Sequence, residues 1–174
     1  MIRAVALCVA TLAVVAATWW WLGRPVEMPP VAADPGRIQC VSYAPFRGND
    51  SPLDEATRVS ARDIEDDLTR LARLTDCVRT YSTENGLDQV PAIAKRLGLK
   101  VIQGLWLGSD RKKNRARIDA TVALAKQYRD TITAIVVGNE VLLRGEMTAA
   151  NLIAVIREIK AHVAMPVTDR KSVV

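Results

Sequence analysis

From residue 38 to residue 168 the chain alternates between short runs that suit a buried strand and longer runs with helical spacing, four times over. Strand-like runs fall at 38–43 (IQCVSY), 77–81 (CVRTY), 99–107 (LKVIQGLWL), 132–137 (ITAIVV) and 165–168 (MPVT). Between the first two, the spacing predicts a helix over 61–74 with Ile64, Leu68, Leu71 and Leu74 on one stripe, behind Ser60 and Asp63 at capping-box spacing. A second helix, over 87–97, carries Leu87, Val90, Ile93 and Leu97 and stops at Gly98, a residue suited to a left-handed C-cap. A third, over 112–129, turns Ile118, Val122, Ala125 and Tyr128 inward. The fourth, over 149–163, comes after Thr148 and aligns Leu152, Val155, Ile156, Ile159 and Val163. Such a chain of βαβ units requires a parallel sheet, either open and doubly wound or closed as a barrel.

The residues just after each strand separate the two. A dinucleotide-binding sheet carries G-x-G-x-x-G after its first strand, and here that place reads APFRGNDSPL. The later strands lead into Ser82-Thr83-Glu84-Asn85, Gly108-Ser109-Asp110 and Gly138-Asn139-Glu140. Side chains able to do chemistry thus gather after the strands, as they do at the C-terminal face of a barrel.

Ahead of this region, positions 4–22 hold no charge over nineteen residues, long enough to cross a bilayer as a helix. A cleavable signal peptide has a shorter apolar core and a small-residue site close behind it. Trp19, Trp20 and Trp21 close the run in the manner of an interfacial aromatic belt, so 1–23 reads as a signal-anchor, with Val31-Ala32-Ala33 as the alternative cleavage site. Arg3 and the amino terminus flank one side and Arg24 the other, which places the N-terminus in the cytoplasm and the remainder outside the cell membrane. Residues 24–37, rich in proline and without apolar period, read as a linker.

The net charge of +5 is too mixed in sign for a nucleic-acid partner on charge alone. One dense basic run, RKKNRAR over 111–117, reads as a solvated loop and first helical turn, with anionic lipid headgroups as the sharper alternative. Basic charge there opposes the helix dipole, a cost the sequence does not explain. Cys8 lies in the apolar run, while Cys40 and Cys77 each open an apolar segment and read as two separately buried thiols; pairing stays open for a domain outside the cytoplasm. Their spacing fits no metal site. His162 reads as a surface residue.

The segments VSYAPFRGNDSPL (41–53), VRTYS (78–82), VIQGLWLG (101–108) and IVVGNEVLLRG (135–145), in this order and with these gaps, resemble the first half of the (β/α)8 TIM barrel of glycoside hydrolase family 17. The likeness is greatest to its bacterial, membrane-anchored members acting on β-1,3-glucans, some of which transfer glucosyl chains instead of hydrolysing them. The resemblance implies that Glu140 is the general acid/base and that Asn139 holds the sugar 2-hydroxyl. It also implies that Tyr43 belongs to a sugar subsite, that Tyr81 and Trp106 are aromatic platforms for a pyranose, and that Arg79 orients a carboxylate. A carboxyl at the end of an apolar strand fits the acid role, because desolvation favours its protonated form. Each residue also has a plainer reading: Glu140 as a structural partner of Arg79 or Arg144, Trp106 as core, and Asp50, Glu84, Asp110 and Glu146 as loop solvation.

No cofactor or metal is implied, since a carboxylic acid suffices to protonate a glycosidic oxygen. The implied partners are a β-glucan chain and, through residues 4–22, the lipid bilayer. The family's nucleophile is a glutamate ending the seventh strand, whereas this chain reads as about four βα units over 38–168 and an unrelated tail over 169–174. The expectation is therefore a half barrel without its nucleophile, inactive by itself, with a non-catalytic carbohydrate-binding or remnant half barrel as the alternative.

Overall fold

The computed structural model describes residues 2–25 and 36–169, so most of the expected linker and all of the expected tail except Asp169 lie outside the described residues. The chain divides into two compact units, Met1–Pro35 and Gly36–Val174. In the first, α1 (Ile2–Leu22) is a single 21-residue helix with no buried residue. At 1.5 Å per residue it is about 30 Å long, the thickness of a bilayer's hydrocarbon core. Its mean hydropathy of 2.0 makes it long and apolar enough to cross a membrane. The hydroxyls of Thr11 and Thr18 donate to the carbonyls of Leu7 and Val14, at 3.0 and 2.9 Å, so they bring no unsatisfied donor into the apolar run. The Arg24 guanidinium stacks 4.1 Å from the ring centre of Trp20.

The second unit is a five-stranded parallel sheet. Its strands are β1 (Val41–Ser42), β2 (Cys77–Arg79), β3 (Lys100–Leu105), β4 (Ile132–Val137) and β5 (Val167–Asp169), in the order β1-β2-β3-β4-β5. The crossovers contain α2 (Ala61–Leu71), α3 (Val90–Arg96) behind a 3₁₀ turn at Leu87–Gln89, α4 (Arg111–Gln127) and α5 (Ala149–His162). Right-handed crossovers between strands that are consecutive in sequence put every helix on the same face of the sheet.

Burial reflects that arrangement. Val78, Val101, Leu105, Ile135 and Val137 face the helices and share one buried core with Ile64, Leu68, Leu152 and Ile159. On the other face Arg79, Ile102 and Ala134 are half-buried and Ser42 and Thr168 exposed. A doubly wound sheet covers both faces with helices. A singly wound one with a half-open inner face is the wall of a barrel, as the residues after the strands suggest.

Local chemistry explains the ends. Ser60 caps α2 by accepting from the Asp63 N–H at 3.1 Å while its hydroxyl donates to the Asp63 carboxylate, a variant of the expected capping box. The helix stops at Leu71, short of 74, because the chain turns to enter β2, and Leu74 is left exposed instead of completing the stripe. Gly98 takes φ +73°, the expected left-handed C-cap.

Cys40 and Cys77 form a disulfide, Cα to Cα 4.3 Å, and not the two separate thiols expected. The reason is register: β1 and β2 pair Val41 with Val78, which sets the two preceding residues side by side. That adjacency depends on the strand pairing and not on the spacing of the cysteines in the sequence.

Candidate functional site

The strand order brings the C-terminal ends of β2, β3 and β4 together on the half-open inner face. Arg79 ends β2 on that face, its Nη2 donating to Asn139 Oδ1 at 3.4 Å and its guanidinium lying 4.6 Å from the Tyr81 ring centre. Three residues singled out from the sequence, one ending β2 and two on the loops after β2 and β4, are therefore brought together by Arg79. Gly104 of β3 lies between them. A Cβ at Gly104 would meet the Thr80 carbonyl oxygen at 2.3 Å and Tyr81 Cα at 2.6 Å, so only glycine lets the chain after β2 cross β3 this closely. On the helix side, buried Gln103 donates to Thr80 Oγ1 at 2.8 Å and to the Ser82 carbonyl at 3.2 Å, fixing the same loop from beneath.

Beyond β4, the Gly138 N–H continues the ladder to the Leu105 carbonyl at 2.8 Å, and the backbone then turns sharply. Gly138 takes φ +74° and Glu140 φ +58°. For glutamate the left-handed region costs on the order of 1 kcal/mol, a strain that persists only where the surroundings enforce it. Asn139 and Glu140 are both half-buried. The turn closes through the Arg144 N–H to the Glu140 carbonyl at 2.9 Å and the Glu146 N–H to the Val141 carbonyl at 3.1 Å.

Trp106, just after β3, is half-buried. The Arg144 guanidinium lies 4.3 Å from its ring centre. Arg144 Nε and Nη2 reach one Glu146 carboxylate oxygen at 2.9 and 2.6 Å, and Nη2 also reaches the Leu107 carbonyl at 3.0 Å. Glu146 is thus an ion-pair partner and not simply a solvated loop carboxylate. The same is true of Glu84, which accepts from Arg117 Nε at 2.8 Å.

A cleft of about 1050 Å³ opens beside these residues, its walls including Phe46, Tyr81, Glu84, Trp106 and Arg117. Tyr81 faces both ways, stacked by Arg79 and lining the cleft.

Tyr43 is not brought to this group. It is 5% exposed and points toward the helix layer, where its hydroxyl donates to Asp67 Oδ2 of α2 at 3.2 Å and Asp67 in turn pairs with Arg47. Burial, and then the Asp67 carboxylate, push the tyrosine's proton affinity well above its ordinary value. Alternation explains the placement: Ser42 faces inward, so Tyr43 faces the helices. Arg144, Glu146 and Gly104 belong to the group although the sequence did not assign them to it. The signal for the first two lay in the VLLRGE run directly after the Asn-Glu pair.

Residues 40–173 match the BtgE/BtgC glycoside hydrolase domain, and the chain belongs to that family. It is similar to a glucan 1,3-beta-glucosidase of Arthroderma benhamiae, 31% identical over 100 residues that cover 56% of this chain and 32% of the relative. It is also similar to a putative glucan endo-1,3-beta-glucosidase btgC of Aspergillus niger, 30% identical over 132 residues, 70% of this chain and 19% of the relative. The chain therefore spans about a third or less of the length of these curated relatives. An active-site mutant of Rhizomucor miehei beta-1,3-glucanosyltransferase, solved with laminaritriose, shares the fold with a TM-score of 0.63 at 22% identity, over 75% of this chain and 48% of that one. The family 17 resemblance and the barrel-type α/β fold both stand, the latter as part of the neighbouring barrel.

Proposed function

We propose that this chain carries the acid/base half of a retaining β-1,3-glucan hydrolase or glucanosyltransferase. The observation that carries the reading is the convergence of Arg79, Tyr81 and Asn139 on the inner face, immediately before a strained Glu140. Glu140 protonates the departing glycosidic oxygen and later takes a proton from the incoming water or sugar hydroxyl. Asn139, oriented by Arg79, holds the 2-hydroxyl, a contact that tightens as positive charge builds on the anomeric carbon. Tyr81 and Trp106 provide flat apolar faces for pyranose rings along the cleft. The relatives named for β-1,3-glucan action support this substrate class.

Retention requires a second carboxyl about 5–5.5 Å from the first. In the family-17 pattern it ends a seventh strand, and the sheet has five strands among the described residues. The α1 helix is proposed as a single-pass anchor holding the domain on the extracytoplasmic side. The Cys40–Cys77 disulfide supports that side independently, since disulfides persist in oxidising compartments.

The test is a titration of the detergent-solubilised chain with laminaritetraose, monitored by backbone amide shifts. The expected changes cluster at 79–82, 104–108 and 138–146. Shifts confined to other regions, or none at all, contradict the proposed site.

A further inference from the structure

We infer that Arg144 is a positioning residue that locks Trp106 into a single-faced sugar platform and ties it to the loop bearing Glu140. The inference rests on the glucan-binding reading and adds a residue that reading did not contain. Three contacts meet on one side chain. The guanidinium stacks at 4.3 Å from the Trp106 ring centre, so one face of the indole is already occupied. The same guanidinium reaches the carbonyl of Leu107, the next residue, at 3.0 Å, and therefore holds both the backbone and the ring of this stretch. Finally, two of its nitrogens reach Glu146 at 2.9 and 2.6 Å, which fixes the plane of the guanidinium and with it the tilt of the indole.

Arg144 is also where the turn after β4 closes, since its own N–H bonds the Glu140 carbonyl at 2.9 Å. Trp106 on one loop and Glu140 on another are thus held in register by a single residue. Trp106 also forms part of the cleft wall. With one face covered by Arg144, the pyranose stacks on the other, and its distance from Glu140 is set by the arginine rather than by the flexibility of two separate loops. A lysine would keep the charge but lose the planar stack and the two-nitrogen grip on Glu146.

The experiment uses the full chain with Trp19, Trp20 and Trp21 replaced by phenylalanine, leaving Trp106 as the sole tryptophan. Acrylamide quenching is measured without sugar for this background and for its Arg144→Met and Arg144→Lys variants, together with their melting curves. The expected result is a quenching constant that rises by roughly a factor of two in Arg144→Met as the covered face opens, with Arg144→Lys in between and both variants still melting cooperatively. Unchanged quenching in both folded variants overturns the inference whatever the ligand. If Arg144→Met does not fold, Arg144→Lys alone decides by the same readout.

Laminaritetraose affinity separates this inference from the reading beneath it. Roughly tenfold weaker binding in both Trp106→Ala and Arg144→Met, on the scale of one well-placed aromatic contact, is the expected outcome. Loss in Trp106→Ala but not in Arg144→Met overturns the positioning role and leaves the glucan site standing. No change in Trp106→Ala overturns the platform itself.

Discussion

Glu140 occupies a left-handed backbone conformation at the residue where a parallel strand gives out. Glycine would relax that strain, yet the position carries a carboxylate, which agrees with the proposed role of Glu140 in proton transfer. The place of this carboxylate at a strand end was legible in the sequence, where Gly138, Asn139 and Glu140 come after an apolar run without transition; its left-handed backbone was not. Tyr43 shows where legibility ended. Its place at the end of the first strand suggested a sugar contact, but which face a strand residue takes depends on register, and a shift of one residue reverses it. The structure turns it to Asp67. Tyr43→Phe is therefore expected to leave laminaritetraose affinity within about twofold of wild type, as calorimetry checks, because apolar packing is kept and no sugar contact is lost. The raised proton affinity of Tyr43 adds a pH signature. Its contribution to stability is complete below the ordinary tyrosine value of about 10 and falls as pH rises through the higher folded value. The difference in melting temperature between wild type and Tyr43→Phe should shift against the wild type above about pH 10.

At the scale of elements, α4 resolves the cost left open by its basic first turn. Asp110 caps the helix, its Oδ1 accepting from the N–H groups of Lys112 at 2.9 Å and Lys113 at 3.1 Å, and so sets a negative charge at the positive end of the dipole. Further along, Lys113 pairs with Glu55, Arg115 with Asp119 and Glu158, and Arg117 with Glu84. Much of the run is thus matched to acids: Asp119 lies one turn along α4, whereas Glu55, Glu84 and Glu158 come from loops and from α5, distant in sequence and invisible to periodicity. The helices themselves were legible because their stripes and caps are local; β4 coincides with its apolar run at 132–137, while β1, β2 and β3 are shorter than theirs, since pairing with neighbours ends them. The Lys113 N–H, and after it that of Lys112, holds the Asp110 carboxyl below the usual carboxylate range. A depressed folded value stabilises the fold above the ordinary carboxylate range and ceases to do so as pH falls through the depressed value. Asp110→Ala is expected to lower the melting temperature by roughly 2–5 °C at neutral pH, with the deficit shrinking in acid. A deficit that persists unchanged in strong acid, about pH 2, would point to packing rather than capping.

The whole molecule combines an apolar helix with one wall of a barrel. Linking β1 to β2 through Cys40 and Cys77, 37 residues apart, restrains the unfolded chain and on a loop-entropy basis contributes about 2–4 kcal/mol. The restraint falls on β1, which among the described residues pairs only with β2 and has just two residues. The barrel class was legible from strand and helix order together with the chemistry after each strand, whereas the contacts within the site arise from loops meeting across the sheet. The proposed role of Glu140, supplying the proton in glucan cleavage, is tested most directly by combining this chain with the C-terminal half of a related barrel that carries the strand-end glutamate. Turnover of soluble β-1,3-glucan is then measured beside Glu140→Gln. The expected result is turnover by the combined barrel and a loss of roughly 10²-fold or more in the variant, the scale of removing a general acid. Turnover that is indifferent to Glu140 would contradict that role.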